Sequence, residues 1–285
     1  MEAGKILKEC QITGFADEIA MEIDSQIEVL KQLGISWIEF RSADGINVAD
    51  HTLEQAKALK EKLDRNGIHI SAMGSPIGKI GIEEAFEPHL EQLEHVMDVA
   101  EVMNCKYIRM FSFFIPEGKD PEEYRDTVME RMEKMVEAAK RRGFVLLHEN
   151  EKDIYGDVAS RCLELQKRFG GENFKCVFDF ANFVQCGQDT LEAYEILKPY
   201  IAYIHIKDAK ADSGEVVLPG EGDGNLSQIL QNLNDNDYSG FLSIEPHLVD
   251  FGGFAKLEKN GKQMEEGDGA KAFASAYEAL RRLLG

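Results

Sequence analysis

The chain has 285 residues, with 52 Asp and Glu against 32 Lys and Arg, for a formal net charge of −20. A surface of that sign repels phosphate backbones and anionic membranes, so neither nucleic acid nor a membrane is expected as a partner. The 44% hydrophobic content suits one large α/β domain or two smaller ones, and five cysteines (Cys10, Cys105, Cys162, Cys176, Cys186) without CxxC spacing read as reduced thiols.

Along the chain, short apolar runs alternate with helical periods. The opening "MEAGKILKECQITGF" has no long apolar stretch, so a cytoplasmic location is expected. "QITGF" (11–15) reads as the first strand. Ile23, Ile27, Leu30 and Leu33 then repeat at helical spacing, and Gly34 closes that helix. "WIEFR" (37–41) is the second strand, with a helix near 53–66. "HISAM" (69–73) is the third, followed by the stripe Leu90, Leu93, Met97, Ala100 and Met103, which is core packing rather than a cofactor box. "YIRMF" (107–111) precedes a helix over 121–142 that ends on Gly143.

"FVLLHE" (144–149), "KCVFDF" (175–180), "AYIHI" (202–206) and "FLSIE" (241–245) complete the strands, with helices near 157–169, 190–198, 226–234 and 270–284. Eight strands and eight helices in strict alternation predict right-handed crossovers onto one parallel sheet. Such units close naturally into a (β/α)8 TIM barrel, typically of about 250 residues, and a single domain over 1–285 is expected. An open doubly wound sheet is the alternative, but no GxGxxG follows the first strand. The irregular stretch 246–270 follows strand eight. It is expected to overhang the C-terminal face as a lid, with Gly252 and Gly253 as hinge points.

Side chains on a strand alternate between faces, and in a barrel the inward ones at the C-terminal ends build the active site. The segment "YIHIKDA" (203–209) puts Tyr203, His205 and Lys207 on one face. The same phase rule turns Glu149, Asp179 and Glu245 inward at the ends of their strands. Each carboxylate alone could cap the following helix, and a lone histidine is usually a core residue. Together, three inward carboxylates at close range repel unless a cation neutralises them. Oxygen ligands with one imidazole suit a single divalent ion: Mn²⁺ first, with Mg²⁺, Co²⁺ or Zn²⁺ as alternatives. Lys207 is expected one step further out, at the rim, where an ammonium can hold a substrate oxygen.

The segments "GISWIEFR" (34–41), "VLLHENE" (145–151), "VFDFANF" (177–183), "YIHIKDA", "LPGEGDGNLSQIL" (218–230) and "YSGFLSIEPH" (238–247) resemble the xylose-isomerase-like barrel superfamily, in its sugar phosphate isomerase/epimerase branch. The resemblance implies Glu149, Asp179, His205 and Glu245 as metal ligands. It implies a small carbohydrate substrate and, since members are often dimers or tetramers, a homo-oligomer. Many ketose epimerases of the superfamily have histidine where this chain has Asn182, and an arginine after the metal histidine where it has "IKDAK".

The expected reaction is isomerisation or epimerisation of a sugar or polyol through an enediolate stabilised by the metal. Glu149 and Glu245 are expected to transfer protons, assisted by Lys207 and His247. Asn182, Lys207, His148 and Glu221 are expected to touch substrate. A lyase or dehydratase acting on an oxidised sugar, cyclitol or glycoside is the second reading, with His148 and His247 as acid or base. A non-catalytic sugar-binding barrel is the third.

Overall fold

Eight strands run parallel in one sheet: β1 (Gln11–Gly14), β2 (Trp37–Phe40), β3 (His69–Met73), β4 (Tyr107–Met110), β5 (Val145–Glu149), β6 (Phe174–Asp179), β7 (Ile201–Ile206) and β8 (Phe241–Ile244). Their hydrogen-bonded order is β1-β8-β7-β6-β5-β4-β3-β2, and β1 and β2 lie side by side without a ladder between them. The sheet is therefore a nearly closed TIM barrel. The computed structural model describes residues 7–248 and 268–285.

Between the strands run α1 (Ile23–Leu33), α2 (Leu53–Arg65), α3 (Glu87–Val102), α4 (Arg125–Arg142), α5 (Ala159–Phe169), α6 (Thr190–Leu197), α7 (Leu226–Asp235) and α8 (Asp268–Leu284). Local chemistry sets their ends. α1 and α4 stop at Gly34 and Gly143, both left-handed, and α2 starts in a Thr52–Gln55 capping box. No helix among the described residues is long and apolar enough to cross a membrane.

The structure adds elements that periodicity did not predict. A short helix, Phe180–Gln185, follows β6 directly, and two-stranded ribbons pair Ser42–Ala43 with Ile46–Asn47 and Asp208–Ala209 with Val216–Val217. All lie beyond the C-terminal ends of strands. The Asp208 carboxylate accepts the backbone N–H of Gly220, Gly222 and Gly224, each at 2.9 Å, and so ties the 218–225 segment to the end of β7. A Cβ on Gly222 would stand 2.3 Å from Asp208 Oδ1, so that close approach requires glycine.

The main apolar core lies between the sheet and its helices. The barrel interior is smaller and mixed. Ala72, Leu147, Val177 and Tyr203 pack in its lower part. Above them Thr13 Oγ1 meets Ser71 Oγ at 2.8 Å, and Ser71 Oγ meets the Tyr203 hydroxyl at 2.8 Å. α8 closes the seam near β1, where a Cβ on Gly14 would stand 2.7 Å from the Phe273 ring.

Candidate metal centre and active site

The ladders bring the strand ends together. Asp179 pairs with His205 in register, and His205 with Ser243, two residues before Glu245. Glu149, Asp179, His205 and Glu245 are all buried, and one ligand atom from each lies within 4.8 Å of every other. His205 Nδ1 is 2.8 Å from Glu149 Oε1, 3.5 Å from Glu245 Oε2 and 3.8 Å from Asp179 Oδ2. Phase on four separate strands thus becomes one cluster. Asp179 also fulfils the ordinary reading of a strand-end carboxylate: its Oδ1 accepts the Asn182 N–H at 2.7 Å and caps the short helix.

Lys207, expected at the rim, stands buried against two carboxylates of the cluster. It is only 4% exposed, with Nζ 3.1 Å from Asp179 Oδ2 and 3.2 Å from Glu245 Oε2. It follows the last residue of β7, and the Asp179 and Glu245 carboxylates compensate its buried charge. His247 is 18% exposed, and its Nε2 lies 3.2 Å from Glu245 Oε1 and 3.4 Å from Glu18 Oε1.

Two arginines that the sequence reading passed over hold the outer oxygens of the glutamates. Arg109 Nη1 donates to Glu149 Oε2 at 3.2 Å, and Arg41 Nη1 donates to Glu245 Oε1 at 3.2 Å. Arg41 also pairs with Asp17 and Glu18. Both guanidiniums pack on the Phe15 ring, 4.3 Å and 4.8 Å from its centroid. Glu39, on β2, reaches across the barrel to His205 Nε2 at 3.3 Å. The available signal was the same alternation: in "WIEFR" and "YIRMF" the charged residues Glu39, Arg41 and Arg109 fall on one face of each strand, opposite the aliphatic residues.

Other expected site residues are placed differently. Asn182 is buried beside the cluster, but its amide donates to the Asn150 carbonyl at 2.9 Å and to Glu149 Oε1 at 3.4 Å, so it braces Glu149. His148 belongs to the opposite face of β5. It is fully buried, with Nε2 3.0 Å from Ser112 Oγ and its ring against Phe174, so a rim acid/base role is corrected. The reason is the alternation itself, since Glu149 beside it points inward. Glu221 is exposed on the 218–225 segment, where its carbonyl accepts from Lys210 Nζ. Most of the expected lid, including Gly252 and Gly253, lies outside the described residues.

The electrostatics follow from burial and crowding. Burial would raise the Glu149 pKa, but His205 and Arg109 outweigh it and bring it to about 2. Burial likewise opposes ionisation of Glu245, yet Lys207 and His247 hold it well below the usual carboxylate range. Asp179 is pushed up to about 7 by burial; Lys207 opposes the rise, while Glu149 and Glu245 add to it. Burial would lower the His247 pKa, but Glu18 and Glu245 lift it to about 9.

The donor set fits a divalent ion. Six buried carboxylates (Asp17, Glu18, Glu39, Glu149, Asp179, Glu245) face Arg41, Arg109 and Lys207, together with His247, which is also cationic at neutral pH. Asp179 Oδ2 receives no well-aligned hydrogen bond, although Lys207 Nζ stands nearby. A dication would offset the excess negative charge, and Asp179 Oδ2 has the capacity to take it. A second acidic group, Glu18, Glu245 and His247, also has ligand spacing. There the Arg41 guanidinium already sits 3.1 Å from Glu18 Oε1 and 3.2 Å from Glu245 Oε1.

Residues 27–281 match the model of the xylose isomerase-like TIM barrel family, and the chain belongs to that family. It is similar to the inosose isomerase of Halalkalibacterium halodurans, 24% identical, over 77% of this chain and 80% of that one. It is similar also to an inosose dehydratase of Clostridium perfringens, 26% identical, over 84% of this chain and 80% of the other. Among solved structures it resembles the IolI protein with a bound zinc atom, at a TM-score of 0.74 and 16% identity, covering 96% of this chain and 98% of that one. That last likeness is one of fold.

Proposed function

We propose that this member of the family is a divalent-metal-dependent enzyme that moves a proton on the carbon beside a carbonyl of a small cyclitol, sugar or sugar derivative, as an isomerase or epimerase. One observation carries the reading: three carboxylates, an imidazole and an ammonium converge at the C-terminal face of the barrel. The inosose isomerase supports it, and the inosose dehydratase supports elimination from the same kind of substrate equally well. An inosose is a ketone of a cyclic polyol, which has an acidic C–H beside its carbonyl.

Glu149, Asp179, His205 and Glu245 would hold the ion. Bound there, it would supply Lewis acidity toward a carbonyl and the neighbouring hydroxyl. Glu149 and Glu245 stand ionised at neutral pH; the neighbouring cations that keep them so also weaken them as bases, and acidification of the C–H by the bound ion would have to offset that. The Lys207 ammonium can turn from Asp179 and Glu245 toward the oxyanion that develops as the C–H bond breaks. Returning the proton to the opposite face of the same carbon gives an epimer. Returning it to the former carbonyl carbon gives the isomeric ketone or aldehyde.

A second reading, dehydration, rests on His247. Its raised pKa keeps it protonated at neutral pH, and it is the partly exposed acid beside Glu245. If a hydroxyl lies beta to the carbon that loses its proton, His247 can protonate it, and water departs as the double bond forms.

The test is incubation with Mn²⁺ and a panel of inososes, ketohexoses and oxidised sugars in D₂O. Deuterium entering beside the carbonyl, and lost on addition of EDTA, is the expected result. An enone product with release of water would assign the dehydratase reading. No exchange in any substrate by protein shown to bind the ion would overturn both.

A further inference from the structure

Glu39 is a carboxylate inside the barrel, 1% exposed, against His205 and Ser243. Its partners explain what it does there. The Ser243 hydroxyl donates to Glu39 Oε2 at 2.5 Å, and His205 Nε2 lies 3.3 Å from Oε1 and 3.2 Å from Oε2. The other ring nitrogen, Nδ1, faces Glu149, Asp179 and Glu245. The imidazole is held in plane by the edge-on rings of Phe15 and Tyr203, with centroids 5.2 Å and 5.8 Å away.

A packing role alone would be better filled by an apolar side chain, because burying a carboxylate is costly unless it is hydrogen-bonded. β2 and β7 are separated in the sheet by β1 and β8, so the contact crosses the barrel interior. A histidine that ligates through one nitrogen must carry its proton on the other. An acceptor at the second nitrogen fixes the tautomer and the ring orientation.

We propose that Glu39 is the positioning residue of the metal centre: it accepts the Nε2–H of His205 and thereby directs the Nδ1 lone pair to the ion. This rests on the metal-binding reading above. Without Glu39 the ring is free to carry its proton on Nδ1, where Glu149 Oε1 at 2.8 Å would accept it and compete with the ion. Ser243 holds the second Glu39 oxygen and keeps the carboxylate in place.

The experiment is calorimetric titration with Zn²⁺ of the full-length wild type, Glu39→Gln and His205→Ala, with ¹⁵N-histidine NMR of the zinc-loaded protein. The wild type should bind one ion, His205→Ala should lose it, and Glu39→Gln should bind it roughly 10- to 100-fold more weakly. The NMR should show metal on Nδ1 and a proton on Nε2 in the wild type, and a mixture in the variant. Equal affinity and an unchanged tautomer in Glu39→Gln would overturn the proposal while leaving the metal site standing. Failure of the wild type to bind would overturn both. If Glu39→Gln does not fold, the wild-type spectrum alone decides: metal on Nε2 is incompatible with the assignment.

Discussion

Lys207 Nζ lies 3.1 Å from Asp179 Oδ2, the one oxygen of that carboxylate not engaged by the cap of the short helix. The same ammonium is 3.2 Å from Glu245 Oε2, whose companion oxygen is held by Arg41 and His247. The two oxygens best placed for an ion are thus the two that Lys207 faces. An ion bound between those oxygens would set cation against cation and weaken the hold of the two carboxylates on the ammonium.

Lys207→Met should therefore bind Mn²⁺ more tightly than the wild type, by roughly 30-fold or more, since a unit charge about 4 Å from a dication is repelled by about 2 kcal/mol even at the dielectric of water. It should also lower turnover by roughly tenfold or more, since the charge that steadies the oxyanion is gone. As Lys207 is buried and paired, its metal-free melting temperature should fall by several degrees and recover on adding the ion. Calorimetry and thermal melts check each arm, and weaker binding would contradict the competition.

Arg109→Leu should destabilise the fold by about 3 kcal/mol, because Glu149 then keeps its buried charge without the guanidinium. Urea denaturation of the metal-free protein measures this. A loss below about 0.5 kcal/mol would mean that His205 alone suffices for Glu149.

His148 should give the fold an acid sensitivity from the outward face of β5. Burial lowers its pKa from 6.5 to about 4, with Glu149 opposing the shift. The unfolded chain takes up a proton on this ring below about pH 6.5, whereas the folded chain does so only below about pH 4. Stability therefore falls as pH drops through that window, by on the order of 3 kcal/mol from this residue. His148→Gln should flatten the dependence between those limits. A denaturation series from pH 7 to pH 4 that is as steep in the variant as in the wild type would refute the assignment.

Glu149→Gln and Glu245→Gln separate the proton-transfer schemes. If epimerisation uses both glutamates, each variant blocks the full reaction, while one of them still washes substrate deuterium into water. An isomerase with a single base would leave the two variants sharply unequal. Near-normal turnover in both, with the ion retained, would remove the glutamates as bases and bring His247 forward.

The sequence by itself determined the alternation of strands and helices, because periods of two and of 3.6 residues and caps such as Gly34, Gly143 and Thr52 are local properties. It also determined the quartet of Glu149, Asp179, His205 and Glu245, since strand phase fixes the inward face and parallel topology puts every C-terminal end on one side. The same rule already placed His148 opposite Glu149, so its outward burial was legible in the alternation. Only the tertiary structure decided which charges meet. Lys207 reaches Asp179 and Glu245, and Glu39 touches His205 from 166 residues away. The Phe15 ring brings Arg41 and Arg109 together beside the glutamates. These contacts depend on strand register and on packing across the barrel, neither of which a local pattern records.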